Sequence, residues 1–139
     1  MNKDLLFNHI AKRISLSKKE EDIIAQFITT KHIRKRSFLY REQEIHKHAV
    51  FVTSGCLRSY AIDTNGNEHV LQFAAPGWWI GDMRSFITGS PGSWFIDAID
   101  DSDVLMLAKN DLEDLYQQIP SLERFFRILA ENALAAHQH

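Results

Sequence analysis

The sequence predicts a mainly β fold: a barrel or sandwich of short strands, bracketed by helices at both ends. Three observations carry this. Turn signals recur at short intervals between residues 31 and 109, as they do in all-β barrels and sandwiches. Apolar residues at three- and four-residue spacing are confined to the two ends. The length, 139 residues, suits one domain with a substantial core.

Residues 1–30 read as helices. Asp4 is placed to cap a short helix carrying Leu5, Leu6, His9 and Ile10. Ser17-Lys18-Lys19-Glu20 has the form of a capping box, in which the serine oxygen and the glutamate satisfy each other's backbone donors. Behind it, Ile23, Ile24, Phe27 and Ile28 form one apolar face. The basic run Lys31–Arg36 reads as a solvated strand or turn.

Residues 31–109 read as the barrel. Val50-Phe51-Val52 leads to Gly55, and Leu57 to Ile62 alternates apolar with polar. Asn65-Gly66 is the strongest short hairpin signal, returning through Glu68 to Phe73. Pro76-Gly77 makes another turn before Trp78 to Asp82, and a loop from Gly89 to Ser93 precedes a strand from Trp94 to Ile99. Val104 to Leu107 closes the set.

Residues 110–139 return to helix. Asn110-Asp111-Leu112-Glu113 resembles a cap, and Pro120 suits the first turn of a longer helix. Along that helix Leu122, Phe125, Leu129, Asn132 and Ala136 form a stripe. Phe126, Ile128, Ala133 and Leu134 widen it beyond what one barrel covers, which predicts a second copy on the far side.

The formal net charge of −2 does not suit a chain that holds DNA by itself. No segment reaches the roughly 18 apolar residues of a membrane span, and the N-terminus shows no secretory run. The single Cys56 forms no internal disulfide or multi-cysteine site, and following Gly55 in an apolar strand it reads as packing. A reducing cytoplasm is expected.

From about Ser15 onward the sequence resembles the Crp/Fnr family of transcription regulators. The resemblance rests on Leu16-Ser17-x-x-Glu20-Glu21, Phe51-Val52-Thr53-Ser54-Gly55 and Phe73-x-x-x-Gly77-x-x-Ile80-Gly81-Asp82. It continues through Ser85-Phe86, Val104 to Leu107 and the closing helices. The form Gly77-Trp78-Trp79-Ile80-Gly81-Asp82 is similar to members from the Bacteroidetes branch. The resemblance implies a double-stranded β-helix (jelly-roll) barrel of the cyclic-nucleotide-binding-domain type, with a long C-terminal dimerisation helix. It also implies that the helix-turn-helix domain, through which DNA would be bound, lies outside this sequence. Gly55, Gly77 and Gly81 match family glycines at tight turns or ligand approaches; Gln43 stands where the family has another, implying a different turn there.

The resemblance places the nucleotide cassette at Gly81 through Ser93. Gly81 matches its glycine, Asp82 its acid with one methylene fewer, and Ser93 its small hydroxyl; Ser85 lies within it. The phosphate-binding arginine is replaced by Gly92. An arginine–phosphate pair is among the stronger hydrogen-bonded contacts, and a helix N-terminus returns only about 0.3–1 kcal/mol, up to ~2 when partly buried. Weak or absent cyclic AMP binding is therefore expected, with a small-molecule effector of another kind left open. Arg84 is the one nearby cation to compensate, and Trp94 has a ring that would fill the cavity. Of Trp78 and Trp79, at most one is expected to face the pocket. His137 and Gln138 fall where the family's long helix reaches over the ligand.

The expected function is the sensor and dimerisation part of such a regulator, acting as a homodimer and not as an enzyme. Two alternatives come from other classes. A cupin-like metalloenzyme would use His46 and His48, but the cupin glutamate and third histidine are missing and such histidines near a turn are expected to be solvent-exposed. A ligand-independent dimerising module is compatible with the lost arginine. No catalytic residue, metal ligand set or certain cofactor is identified.

Overall fold

A computed structural model describes residues 3–136, with side chains through 133. Helices α1 (Lys3–Ile10) and α2 (Lys18–Ala25) precede eight strands, β1 (Thr29–Ile33), β2 (Phe38–Tyr40), β3 (His48–Ser54), β4 (Leu57–Ile62), β5 (Glu68–Ala74), β6 (Trp79–Ile80), β7 (Phe95–Ala98) and β8 (Ser102–Ala108). A short helix, α3 (Met83–Thr88), interrupts the strands, and α4 (Lys109–Gln118) and α5 (Pro120–Ala136) close the chain. The strands form two antiparallel four-stranded sheets, in the orders β1-β8-β3-β6 and β2-β7-β4-β5. This is the predicted barrel with flanking helices.

Two cores explain the apolar patterns. Val50, Val52, Leu57, Ile80, Ile96 and Val104 fill the space between the sheets. On the outside of the first sheet, Phe51, Leu105 and Leu107 meet Leu6, Ile10, Ile24, Leu112 and Leu115 from the helices. Strands β3 and β8 are thus buried on both faces, which is why Ala49 to Val52 and Val104 to Leu107 read as unbroken apolar runs. On the outer face of the second sheet Arg58 pairs with Asp97 (Nε to Oδ1, 2.8 Å) and Tyr60 stacks on Phe95, which leaves Tyr60 and Asp97 buried. Burial along β4 does not alternate strictly, since Ser59 and Tyr60 are both buried where its register with β5 shifts.

Local signals were met where they concern the backbone alone. Ser17 Oγ accepts from Glu20 N, and Glu20 returns the bond to Ser17 N. Asp63 ties the Asn65-Gly66 hairpin by accepting from Asn65 N and Asn67 N. Pro120 opens α5, and Lys31 lies exposed on β1.

Other expectations are corrected. Asp4 lies in the first turn of α1, which starts at Lys3, so it is no cap. The second helix ends at Ala25, because pairing of β1 with β8 from Thr29↔Met106 pulls the chain into extended form; Phe27 and Ile28 still pack on the helical core. The N-cap of α4 is Ala108, without a side-chain bond, so Asn110 caps nothing. Cys56 is half-buried between β3 and β4, its N–H donating to Ser102 Oγ. Gln43 holds φ at 76°, a conformation that favours glycine, so the turn there keeps a glycine-like backbone.

Gly55 is the tightest such point. Its φ is 81°, and a Cβ there would collide with Ser102 Oγ and the Asp101 carbonyl oxygen. Gly66, at φ 86°, has open space around it. Gly55→Ala is expected to destabilise by about 2 kcal/mol or more, from strain plus the collision. Gly66→Asn should cost well under 1 kcal/mol, since asparagine tolerates this region. Urea unfolding of both variants checks the contrast.

Candidate functional site

The cassette is built on Asp82. Its backbone is extended, it caps α3, and its side chain is buried. Oδ1 accepts from Ser85 N at 3.2 Å and Oδ2 from Ser93 N at 2.9 Å. The carboxylate thus holds both ends of the cassette together. Ser85 adds a second tie: its hydroxyl accepts from His46 N (2.9 Å) and donates to Ser90 O (2.7 Å). Gly89 ends α3 in a left-handed conformation.

His46 lies beneath this arrangement, and its side chain was expected to be exposed. It is 1 % exposed. Its ring stacks on Tyr40 with centroids 3.8 Å apart, and Nδ1 accepts from Asp82 N at 3.0 Å. That bond dictates the tautomer: in the neutral ring the proton sits on Nε2. Burial lowers the His46 pKa, partly opposed by the charges of Asp82 and Glu44. Burial likewise pushes the Tyr40 phenol up to about 12.

Gly92 is pinned against this ring. Its N–H donates to Glu44 O and its carbonyl accepts from Gln43 N, both at 2.8 Å. A Cβ at Gly92 would lie 2.8 Å from Glu44 O and 2.9 Å from His46 Nε2, closer than real Cβ contacts come. Glycine is therefore a steric requirement here.

Arg84 is exposed and forms no ion pair with Asp82, whose oxygens accept from the backbone of Ser85 and Ser93. Ser93 is exposed and contributes its N–H to Asp82. Trp94 is half-buried and does not line the cavity described next; Trp78 and Trp79 both do, against the expectation of at most one. His137 and Gln138 lie outside the described residues, as does the side chain of Ala136.

The cavity, of about 620 Å³, opens between barrel and helices. Its walls come from α1 (His9, Lys12), β3, the β5–β6 region (Leu71, Trp79, Ile80), the cassette and α5 (Phe126, Leu129, Asn132, Ala133). A volume of this size takes a small organic ligand. The contribution of α1 was not legible, because no local pattern says which helix covers which strand; that of the long helix was expected from the resemblance, but at His137 and Gln138. His9 sits among Phe51, Trp79 and Phe125, and burial first, then Lys12 and Arg13, lower its pKa. Burial lowers His48 as well, partly offset by Asp111.

The helix stripe is also corrected. Leu122 and Phe125 are buried in the chain's own core, at 0 % and 2 %, so they have no surface left for a partner. Leu129 packs against the same core, and Asn132 is exposed beside the cavity. The outward side of α5 carries Arg124, Arg127, Ile128 and Glu131.

The cyclic nucleotide-binding domain profile matches residues 30–119. The chain belongs to that family. It is similar to the fumarate and nitrate reduction regulatory protein of Vibrio cholerae, with 26 % identity over 136 residues, covering 97 % of this chain and 54 % of that protein. Its fold is similar to the catabolite activator protein of Thermus thermophilus (TM-score 0.78, 21 % identity, 87 % of this chain and 56 % of that one). It is equally similar to the sensor domain of the transcriptional regulator DNR from Pseudomonas aeruginosa (TM-score 0.78, 17 % identity, 99 % and 89 %). The chain spans about half the length of the first two.

Three cavity-lining histidines with lowered pKa give this cyclic nucleotide-binding domain a definite acid response. Each binds its proton more weakly folded than unfolded, so stability is full above the unfolded pKa of about 6.5. It is lost as pH falls from there through the folded values, by at most about 1.4 kcal/mol per pH unit per histidine. Unfolding free energy measured from pH 7.5 to 5 should fall with pH, and the slope should be shallower in His46→Gln.

Proposed function

We propose that this domain is the sensor and dimerisation part of a Crp/Fnr-type transcription regulator, with a cassette closed to cyclic nucleotides. The single observation behind the closed cassette is that its backbone donors are met from within. Asp82 N donates to His46, while Ser85 N and Ser93 N donate to the Asp82 carboxylate. A cyclic phosphate would have to displace a carboxylate of the same sign, without the arginine. Removing one partner of a buried charge pair costs about 3–5 kcal/mol. The regulator reading is supported by the similarity to the Vibrio cholerae protein over nearly the whole chain. The effector seat is the cavity against α5, and DNA is read by another part of the regulator, in keeping with the net charge of −2 here.

The metalloenzyme alternative is not favoured. His46 Nδ1 is already an acceptor for Asp82 N–H. Among the described residues no group of three or more His, Cys, Asp or Glu is placed to hold a metal ion.

Calorimetric titration with cyclic AMP and cyclic GMP is expected to give no saturable binding at micromolar concentrations. Gly92→Arg should not restore it, because the new Cβ presses on Glu44 O and the His46 ring. Micromolar binding by the unaltered chain would remove the closed-cassette reading.

The homodimer seam lies on the outward face of α5, with Ile128 as its central apolar residue among the described ones. Ile128→Glu is expected to shift sedimentation equilibrium toward monomer by at least tenfold in dissociation constant, with an unchanged circular dichroism spectrum. Leu122→Ala should instead lower stability by about 2–5 kcal/mol, as a core truncation does. An unchanged monomer–dimer equilibrium in Ile128→Glu would move the seam elsewhere.

A further inference from the structure

The cavity between barrel and helices has a charge pattern that selects its occupant. Trp79, Ile80, Phe126 and Leu129 make its body apolar. Two charged side chains line it, Lys12 and Asp82, together with the imidazoles of His9, His46 and His48. The Asp82 carboxylate is 5 % exposed, and each of its oxygens accepts a backbone N–H of the cassette, so its charge is solvated by cassette amides. Lys12 is exposed on the turn after α1 and forms no ion pair with a described residue. The lining therefore carries one exposed cation with no ion-pair partner among the described residues, beside apolar walls, while its one anion is buried against the cassette amides.

From this pattern we infer that the cavity binds an amphipathic monocarboxylic acid, its hydrocarbon body against the apolar walls and its carboxylate at Lys12. The inference rests on the reading of this cavity as the effector seat and names the ligand class for it. A neutral hydrocarbon would fill the body but leave the lysine without a counter-charge. A phosphate dianion would bring two charges to one cation, beside walls that cannot solvate the second. A monocarboxylate matches both the single charge and the apolar remainder. Binding buries the chain by the ordinary hydrophobic effect, and the exposed lysine adds selectivity for the acid.

The test uses the full chain and sodium decanoate below its micellar concentration, followed by tryptophan fluorescence, since Trp78 and Trp79 both line the cavity, and by calorimetry. Decanol is the neutral match. Saturable one-site binding of decanoate is expected, at least fivefold weaker in Lys12→Gln and at least fivefold weaker for decanol. Binding should be lost when the cavity is filled, by Ala133→Trp on α5 or independently by Leu71→Trp on the opposite wall. Each variant's thermal unfolding establishes that it is folded. Equal binding of decanol and decanoate, or a Lys12→Gln variant that binds as the parent does, overturns the acid while leaving the cavity as the seat. Decanoate binding that survives both filled variants removes the seat itself. Absence of saturable decanoate binding by the parent also overturns the inference.

Discussion

The buried carboxylate of Asp82 organises this domain's functional end. It bridges the amides of Ser85 and Ser93, one at the first turn of α3 and one beyond the following loop. Its own N–H is bonded to a histidine ring. Amides at a helix start ordinarily make a place for an external anion; here the anion is supplied by the chain. A charge-assisted hydrogen bond contributes about 1.5–3 kcal/mol net. Opening two of them would need a compensating cation at the same place, and Gly92 supplies none.

The position of the His46 ring follows from the same constraint and dictates its neighbours in turn. To accept from Asp82 N the ring must lie beneath the cassette, where it stacks on Tyr40 and occupies the barrel's end. That leaves no room for a Cβ at residue 92. The identity of residue 92 and the seat of the histidine ring are thus sterically coupled. The open volume beside His46 and the cassette runs from Val50, Ile80 and Leu71 of the barrel to α1 and α5.

How much of this was legible depends on the range of the interaction. Ser17 with Glu20, Asn65-Gly66 and Pro120 act over a few residues, and the backbone obeyed each of them. The apolar runs of β3 and β8 were read as strands, and their burial on both faces emerges only with the helices packed on the first sheet. The end of α2 was misplaced because strand pairing with β8, more than seventy residues away, overrode an apolar spacing that continues helically. His46 was read as an exposed residue near a turn because its partners, Asp82 and Ser85, are distant in sequence. Gly92 was noted by resemblance, but its close approach to Glu44 O and the His46 ring was not legible. On α5 the spacing gave an apolar helix and could not say which side met the barrel, so Leu122 and Phe125 were assigned to a partner when their own core already held them.

The placement of the cavity bears on how a signal would leave this domain. Phe126 and Leu129 belong at once to the cavity wall and to the packing of α5 on the helical core. An occupant that contacts them cannot be indifferent to how α5 lies. A ligand shifts a conformational equilibrium only by its differential affinity for the two states. A twofold preference for one arrangement of α5 would therefore do little, whereas a tenfold preference is worth about 1.4 kcal/mol per subunit and doubles in a symmetric dimer. Because the outward side of α5 lies across the same helix from those contacts, a rotation that improves cavity packing must also turn Ile128. The geometry of any seam there would then depend on occupancy without any contact between ligand and partner.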